Sequence, residues 1–318
     1  MAGLRIAVAI GCVTRGAVAQ AAAPAVVTAP AAPSAETHGK VRLQNVAPPP
    51  EASAFIEMRS KDTDVLFASA INGDHESVGV SLKQGSALVG IRGWNAVYRS
   101  TDFSLPLPAG ATAGKKEFLY APTSRPPNGS CLEVGTAYQT DFQSPTAVFL
   151  YVFDFCGITR RFLRWIKIED LEKASYLKQG PNSSYMYYFS ISPDMVPVSG
   201  TTKWTAELFN FAHRSLDRLA QSQGVSSDGR GWSIFETYYE QGQCPRSLPR
   251  IYSEGIEVMD EISNKWTPSN PSEGLDYKIY DSASPAAYCF HNDASGLASY
   301  KFALETNQRG WAVVSTGH

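Results

Sequence analysis

The chain has 318 residues, a net charge of −2 and only 18% charged residues. The lack of a basic excess excludes a surface built to hold nucleic acid, and 15 Tyr, 15 Phe and 6 Trp exclude a chain too polar to fold. All-β units of about 200–250 residues commonly form single domains, so the length does not require two.

Residues 1–19 read as a secretory signal peptide. Arg5 supplies a positive start, residues 6–13 a short apolar core, and Ala17-Val18-Ala19 a small-residue cleavage site. The apolar run is too short to span a bilayer, so no membrane span is expected. Residues 20–50 are rich in Ala and Pro, including Pro48-Pro49-Pro50. That composition reads as a linker or pro-segment. The folded part is expected to begin near Phe55, which assigns 51–318 to one domain.

From there the pattern is mostly β. Candidate strands cover 64–71, 76–83, 87–92, 94–100, 116–121, 131–140, 146–155, 184–192, 232–240, 255–262, 297–305 and 310–316. They are rich in Val, Ile, Tyr, Phe and Thr. Asn72-Gly73-Asp74, Pro126-Pro127-Asn128-Gly129 and Gly180-Pro181-Asn182 punctuate them as turns. The expected class is all-β, an antiparallel β-sandwich or jelly roll with at most one or two short helices. Residues 168–178 have mixed character. Residues 206–223 read as a helix, with Leu208, Ala212, Leu216 and Leu219 at three-to-four spacing.

Four cysteines lie beyond the signal: Cys131, Cys156, Cys244 and Cys289. Without CxxC spacing, an even number suits two disulfides and an oxidising compartment better than a zinc site. Four cysteines allow three pairings, and neighbouring-strand logic favours Cys131–Cys156 and Cys244–Cys289.

Two glutamates stand inside apolar strands, Glu133 in 131–139 and Glu236 in 232–240. Glutamate is a poor strand residue and is rarely buried unless paired. Alternation gives Glu133 the small companions Cys131, Gly135 and Ala137, with Gln139 beyond, and leaves Leu132, Val134, Thr136 and Tyr138 for the core. That face reads as the open floor of a groove. Glu236 shares its face with Trp232, Ile234, Tyr238 and Glu240. Either each glutamate is a solvated residue on a half-exposed strand, or the two meet in a cleft and divide acid and base roles. No GxSxG, HExxH, GxGxxG or P-loop is present, the histidines are scattered, and bridged cysteines cannot serve as nucleophiles. Neither a metal nor an organic cofactor is expected.

These segments resemble the neprosin-like glutamic peptidases. Leu132-Glu133-Val134-Gly135-Thr136-Ala137-Tyr138, followed by residues 147–154 and Cys156-Gly157, is similar to that family's strand pair. Trp204-Thr205-Ala206-Glu207-Leu208-Phe209 is similar to an element preceding its second acid, with Thr205 where the family has proline. Trp232-Ser233-Ile234-Phe235-Glu236 looks like the strand bearing that acid. The resemblance implies a secreted acid endopeptidase acting on polypeptides, with Glu133 and Glu236 catalytic and Gln139, Trp232 and Tyr238 lining the substrate groove. Glu207 reads as a helix-surface carboxylate, and 20–50 as part of an activation peptide. Two alternatives stand beside it: a secreted carbohydrate-active sandwich acting on a polysaccharide, and a non-catalytic extracellular binding protein. A peptidase pair must reach one water, on the order of 3–6 Å apart, whereas inverting glycosidase carboxyls lie about 6.5–9.5 Å apart.

Overall fold

The computed structural model describes residues 38–48, 52, 74–82, 87–102, 117–140, 147–156, 160–194, 202–227, 229–239, 248–269, 275–279, 302–307 and 309–315. The expected signal peptide, the candidate strand at 64–71, Phe55, Cys244 and Cys289 lie outside them.

The described chain forms strands β1 (His38–Lys40), β2 (Asp74–Leu82), β3 (Leu88–Val97), β4 (Glu117–Arg125), β5 (Leu132–Thr140), β6 (Ala147–Asp154) and β7 (Arg161–Lys167). One short helix follows, α1 (Ile168–Lys173), then β8 (Lys178–Gln179), β9 (Tyr185–Pro193), β10 (Lys203–Asn210), β11 (Ser215–Gln223) and β12 (Gly231–Tyr239). The last strands are β13 (Ile251–Asp260), β14 (Trp266–Pro268), β15 (Leu275–Ile279), β16 (Phe302–Asn307) and β17 (Gly310–Ser315). They make two sheets. The seven-stranded sheet runs β15-β2-β12-β4-β5-β6-β7. The ten-stranded sheet runs β1-β11-β10-β9-β3-β13-β17-β16, with β8 beside β9 and β14 beside β13. The β1–β11 pair is parallel and the other described pairs are antiparallel. The fold is the expected all-β sandwich.

The sheets pack through the residues that alternation sends inward. Leu132, Val134 and Tyr138 of β5, Val148, Leu150 and Val152 of β6, and Phe235 of β12 share one buried cluster with Ile91, Phe189, Ile191, Leu208 and Val313 of the other sheet. Polar bridges cross this core. Thr136 Oγ1 lies 3.0 Å from the Tyr187 hydroxyl, the Tyr138 hydroxyl accepts from the Tyr98 backbone N–H, and Trp311 Nε1 donates to Ser233 Oγ at 2.9 Å. Each satisfies a buried polar group that would otherwise cost about 1–3 kcal/mol.

Cys131 and Cys156 are disulfide-bonded, with Cα atoms 5.0 Å apart. The bond joins the start of β5 to the end of its neighbour β6, as strand adjacency suggested. It closes a 25-residue separation, for which chain entropy gives about 3–4 kcal/mol.

Three sequence expectations change. Residues 206–223 are a β-hairpin, not a helix. Ser215, Asp217 and Leu219 of β11 are buried at every second position, and β10 is buried from Ala206 to Asn210 between β9 and β11. Asn210 Oδ1 accepts from the Ala212 and His213 backbone N–H groups and closes the turn, with Arg214 at φ 53°. A side chain that captures backbone donors in this way competes with helix formation. Glu207 is accordingly a buried strand residue, 8% exposed, opposite Arg218. The strand expected at 116–121 continues to Arg125, because a bulge between Tyr120 and Thr123 absorbs Pro122. Lastly, residues 38–48, read with the linker, belong to the sandwich. β1 pairs with β11, Val46 N donates to Trp165 O, and Asn45 Oδ1 accepts from Trp165 N. This stretch ties the β11 edge of one sheet to the β7 edge of the other.

The tyrosine-rich core sets an alkaline limit. Burial pushes the hydroxyls of Tyr98, Tyr176 and Tyr187 up to about 12, against about 10 in an unfolded chain. Above pH 10 the unfolded state binds fewer protons than the native state, so stability falls as pH rises. The contribution is complete below about pH 10 and is lost by about pH 12. Urea midpoints measured from pH 9 to 12 should therefore decline through that window, and Tyr187→Phe should flatten the decline.

Candidate active site

The outer face of the seven-stranded sheet carries both glutamates. On β12 it presents Trp232, Ile234 and Glu236; on β5 it presents Glu133, Gly135 and Ala137. Between them β4 presents Arg125, Thr123 and Tyr120. Pairing defines successive rows across the three strands. Gly135, Thr123 and Ile234 form one row, and Ala137, Tyr120 and Glu236 the next. β2 extends these rows with Gly79 and Ser77.

Neither glutamate is solvated; both have no exposed surface. Glu133 Oε1 accepts from the Tyr151 hydroxyl at 2.7 Å, and Oε2 accepts from Trp232 Nε1 at 2.9 Å. The Trp232 N–H is shared with Thr123 Oγ1 at 3.1 Å. Hydrogen bonds of this kind are what permits burial of a carboxylate.

These bonds also fix where the carboxylate lies. A Cβ on Gly135 would sit 2.7 Å from the Tyr151 hydroxyl oxygen and 2.7–2.8 Å from its ring. Tyr151 therefore reaches from β6 across β5, over Gly135. The Glu133 side chain, bonded to that hydroxyl and to an indole N–H that also meets Thr123, leans into the Gly135–Thr123 row. The backbone rows of Glu133 and Glu236 are two apart, with the Gly135–Thr123–Ile234 row between them. A flat sheet would hold their Cα atoms about 16 Å apart, so strand pairing alone does not bring the two carboxyls within reach of one water.

The layer around them is aromatic. Tyr120, Phe149, Tyr151, Phe153, Phe155, Trp165 and Trp232 form one buried cluster with Ala52, Ala137 and Ile234. Tyr151 meets Tyr120 edge-on at 5.6 Å and Phe162 at 5.5 Å. Beside Glu236 the Ser77 hydroxyl is buried, with no hydrogen-bond partner among the described residues.

Sequence reasoning found the two strand carboxylates and their common face, but not their environment. The small-residue floor expected around Glu133 is filled by Tyr151 from the neighbouring strand. Trp232 is 2% exposed and serves as a donor to Glu133 rather than as an open wall. Gln139 lies on the Glu133 face near the end of β5, half-buried, three rows from Glu133. Tyr238 lies on β12 two residues beyond Glu236 and pairs with Phe118; its side chain is outside the described residues. Tyr151, Thr123, Arg125 and Ser77 were missed. Tyr151 had one signal: a hydroxyl among the apolar neighbours Phe149 and Phe153 on one face of β6. Cys131, Asp154 and Cys156 cluster closely, but the disulfide withdraws both sulfurs and leaves one carboxylate, too few ligands for a metal.

No family model matches the chain, and no curated protein matches it.

The packing at Gly135 is testable. Gly135→Ala places a methyl against the buried Tyr151 ring and should cost about 1–3 kcal/mol by overpacking. Tyr151→Phe removes one donor from a buried carboxylate and should cost about 1–3 kcal/mol. Because both act through the same hydrogen bond, the double variant should be less destabilised than the sum of the two. Urea unfolding of the three variants checks this, and strict additivity would contradict the assigned contact.

Proposed function

We propose that this face hydrolyses peptide bonds with Glu133 and Glu236 as an acid–base pair. One observation carries the reading: two fully buried strand glutamates occupy the same face of the same sheet, and Glu133 is held there by two hydrogen-bond donors. The resemblance to the neprosin-like glutamic peptidases supplies the substrate class.

The hydrogen bonds support a division of roles. Tyr151 and Trp232 approach Glu133 as donors, one to each carboxyl oxygen. Both oxygens then accept, as an ionised carboxylate requires. Glu133 is therefore assigned as the base. Two carboxylates in one dry site do not both ionise easily, so the shared proton rests on Glu236. A water between the rows gives its proton to Glu133 as its oxygen attacks the peptide carbonyl carbon. Collapse of the tetrahedral intermediate breaks the C–N bond, and Glu236 protonates the departing amine. The proton on Glu133 then returns to Glu236 through the next water that enters between them. The Ser77 hydroxyl is available to bond the substrate or the water.

Secretion into an oxidising compartment is part of the proposal, and the Cys131–Cys156 bond fits it. Ala52 is 1% exposed and belongs to the buried cluster that includes Tyr120 and Ala137. Ala52 itself packs on the glutamate face, as part of an activation peptide would.

Digestion of casein at acid pH tests the reading. Processed wild type should cleave it. Glu133→Gln and Glu236→Gln should each lose at least a hundredfold in rate, the scale of a positioned acid or base. Undiminished cleavage by both variants would remove the pair from the chemistry.

A further inference from the structure

Arg125 ends β4 with no exposed surface. Its guanidinium carbon lies 4.0 Å from the Phe155 ring centre and 4.9 Å from the Trp232 ring. The cation thus contacts two aromatic rings, and Trp232 is the residue opposite it in the β4–β12 pairing. Nε and Nη2 both donate to the Ser130 carbonyl, at 3.2 and 2.8 Å. Ser130 precedes Cys131, and Phe155 precedes Cys156, so the disulfide braces both the carbonyl and the ring that hold the guanidinium. Phe155 N also donates to Cys131 O at 2.8 Å.

A buried cation is costly unless an anion balances it. On the other side, register continued one step beyond the Ser124–Val134 pair brings Glu133 opposite Arg125. Arg125 and Trp232 therefore share a row with Glu133, and Trp232 donates to it. Among the described residues, other titratable groups on this face near Glu133 include Tyr151 from β6, Tyr120 from β4 and Glu236 from β12. Arg160 lies farther out, 5.8 Å from the Phe155 ring. Of these groups only a cation favours the ionised carboxylate by charge, and Arg125 is the cation placed in the same row.

We propose that Arg125 is a positioning residue: it holds the Trp232 indole at the angle that donates to Glu133, and it supplies the positive charge that balances that carboxylate. Its role in catalysis rests on the assignment of Glu133 as the base; its role in holding Glu133 ionised does not.

The test uses the full chain with Arg125→Met and Arg125→Lys. Methionine fills the slot without charge, and lysine keeps the charge without a plane to lie against the rings. The Glu133 carboxyl carbon is followed by 13C NMR against pH, assigned by its absence in Glu133→Gln. In Arg125→Met its titration midpoint should rise by about one unit or more, a tenfold gain in proton affinity. In Arg125→Lys the rise should be smaller. The acid limb of casein cleavage should move to higher pH in step, with kcat/KM recovering as pH is raised. A folded Arg125→Met protein in which Glu133 titrates as in wild type overturns the proposal. Should that variant not fold, Arg125→Lys decides: Trp232 emission should shift to the red and the Glu133 midpoint should rise, and wild-type values for both overturn it. If wild type fails to cleave casein, the peptidase reading falls while the titration still decides the role of Arg125.

Discussion

The Glu133 carboxylate, buried on the outer face of a β-sheet and held by the hydroxyl of Tyr151 and the indole N–H of Trp232, constrains most of what surrounds it. A carboxylate removed from water must keep its hydrogen bonds or force the sheet to rearrange. Its donors come from strands on either side, β6 and β12, so the register of four strands is tied to one side chain. Tyr151 can reach it only because residue 135 has no Cβ. Trp232 is oriented by contact with a buried arginine, and that arginine is held by a carbonyl and a ring beside the disulfide. Each contact is local, but together they fix the position of one acidic group.

The seven-stranded sheet is therefore buried on two faces for different reasons. Its inner face closes the sandwich with Leu, Val and Ile, as any such sheet must. Its outer face carries an aromatic layer enclosing two carboxylates and an arginine. A sheet that needed only stability would leave that face wet and alternate polar residues along it. Low-dielectric surroundings strengthen whatever electrostatic interactions remain inside, which is the condition that acid–base chemistry between two carboxyls requires.

Parts of this were readable from the chain. Alternation assigned Leu132, Val134, Thr136 and Tyr138 to the core and put Glu133 on the opposite face, and the structure has both. Strand adjacency selected the Cys131–Cys156 bond. The hairpin at residues 203–223 was not readable, because Leu208, Leu216 and Leu219 satisfy a helical spacing while the strand evidence lies in long-range pairing with β9 and β1. The strand Arg161–Lys167 was missed because its Arg, Phe, Leu, Arg and Trp do not alternate, and its pairing to β6 shifts between Val152 and Phe153. Residues 38–48 were hidden by the composition of their neighbours.

By itself the sequence determined the all-β class, the faces of β5 and β12, and the two carboxylates, since these follow from period-two alternation and from the cost of glutamate in a strand. Tertiary structure alone decided that β4 separates the two glutamate strands, that one row lies between theirs, and that Tyr151 and Trp232 donate to Glu133 with Arg125 in the same row. Those facts depend on which strands pair and in what register. Pairing is set by the burial of the whole sheet, and no local stretch of residues encodes it.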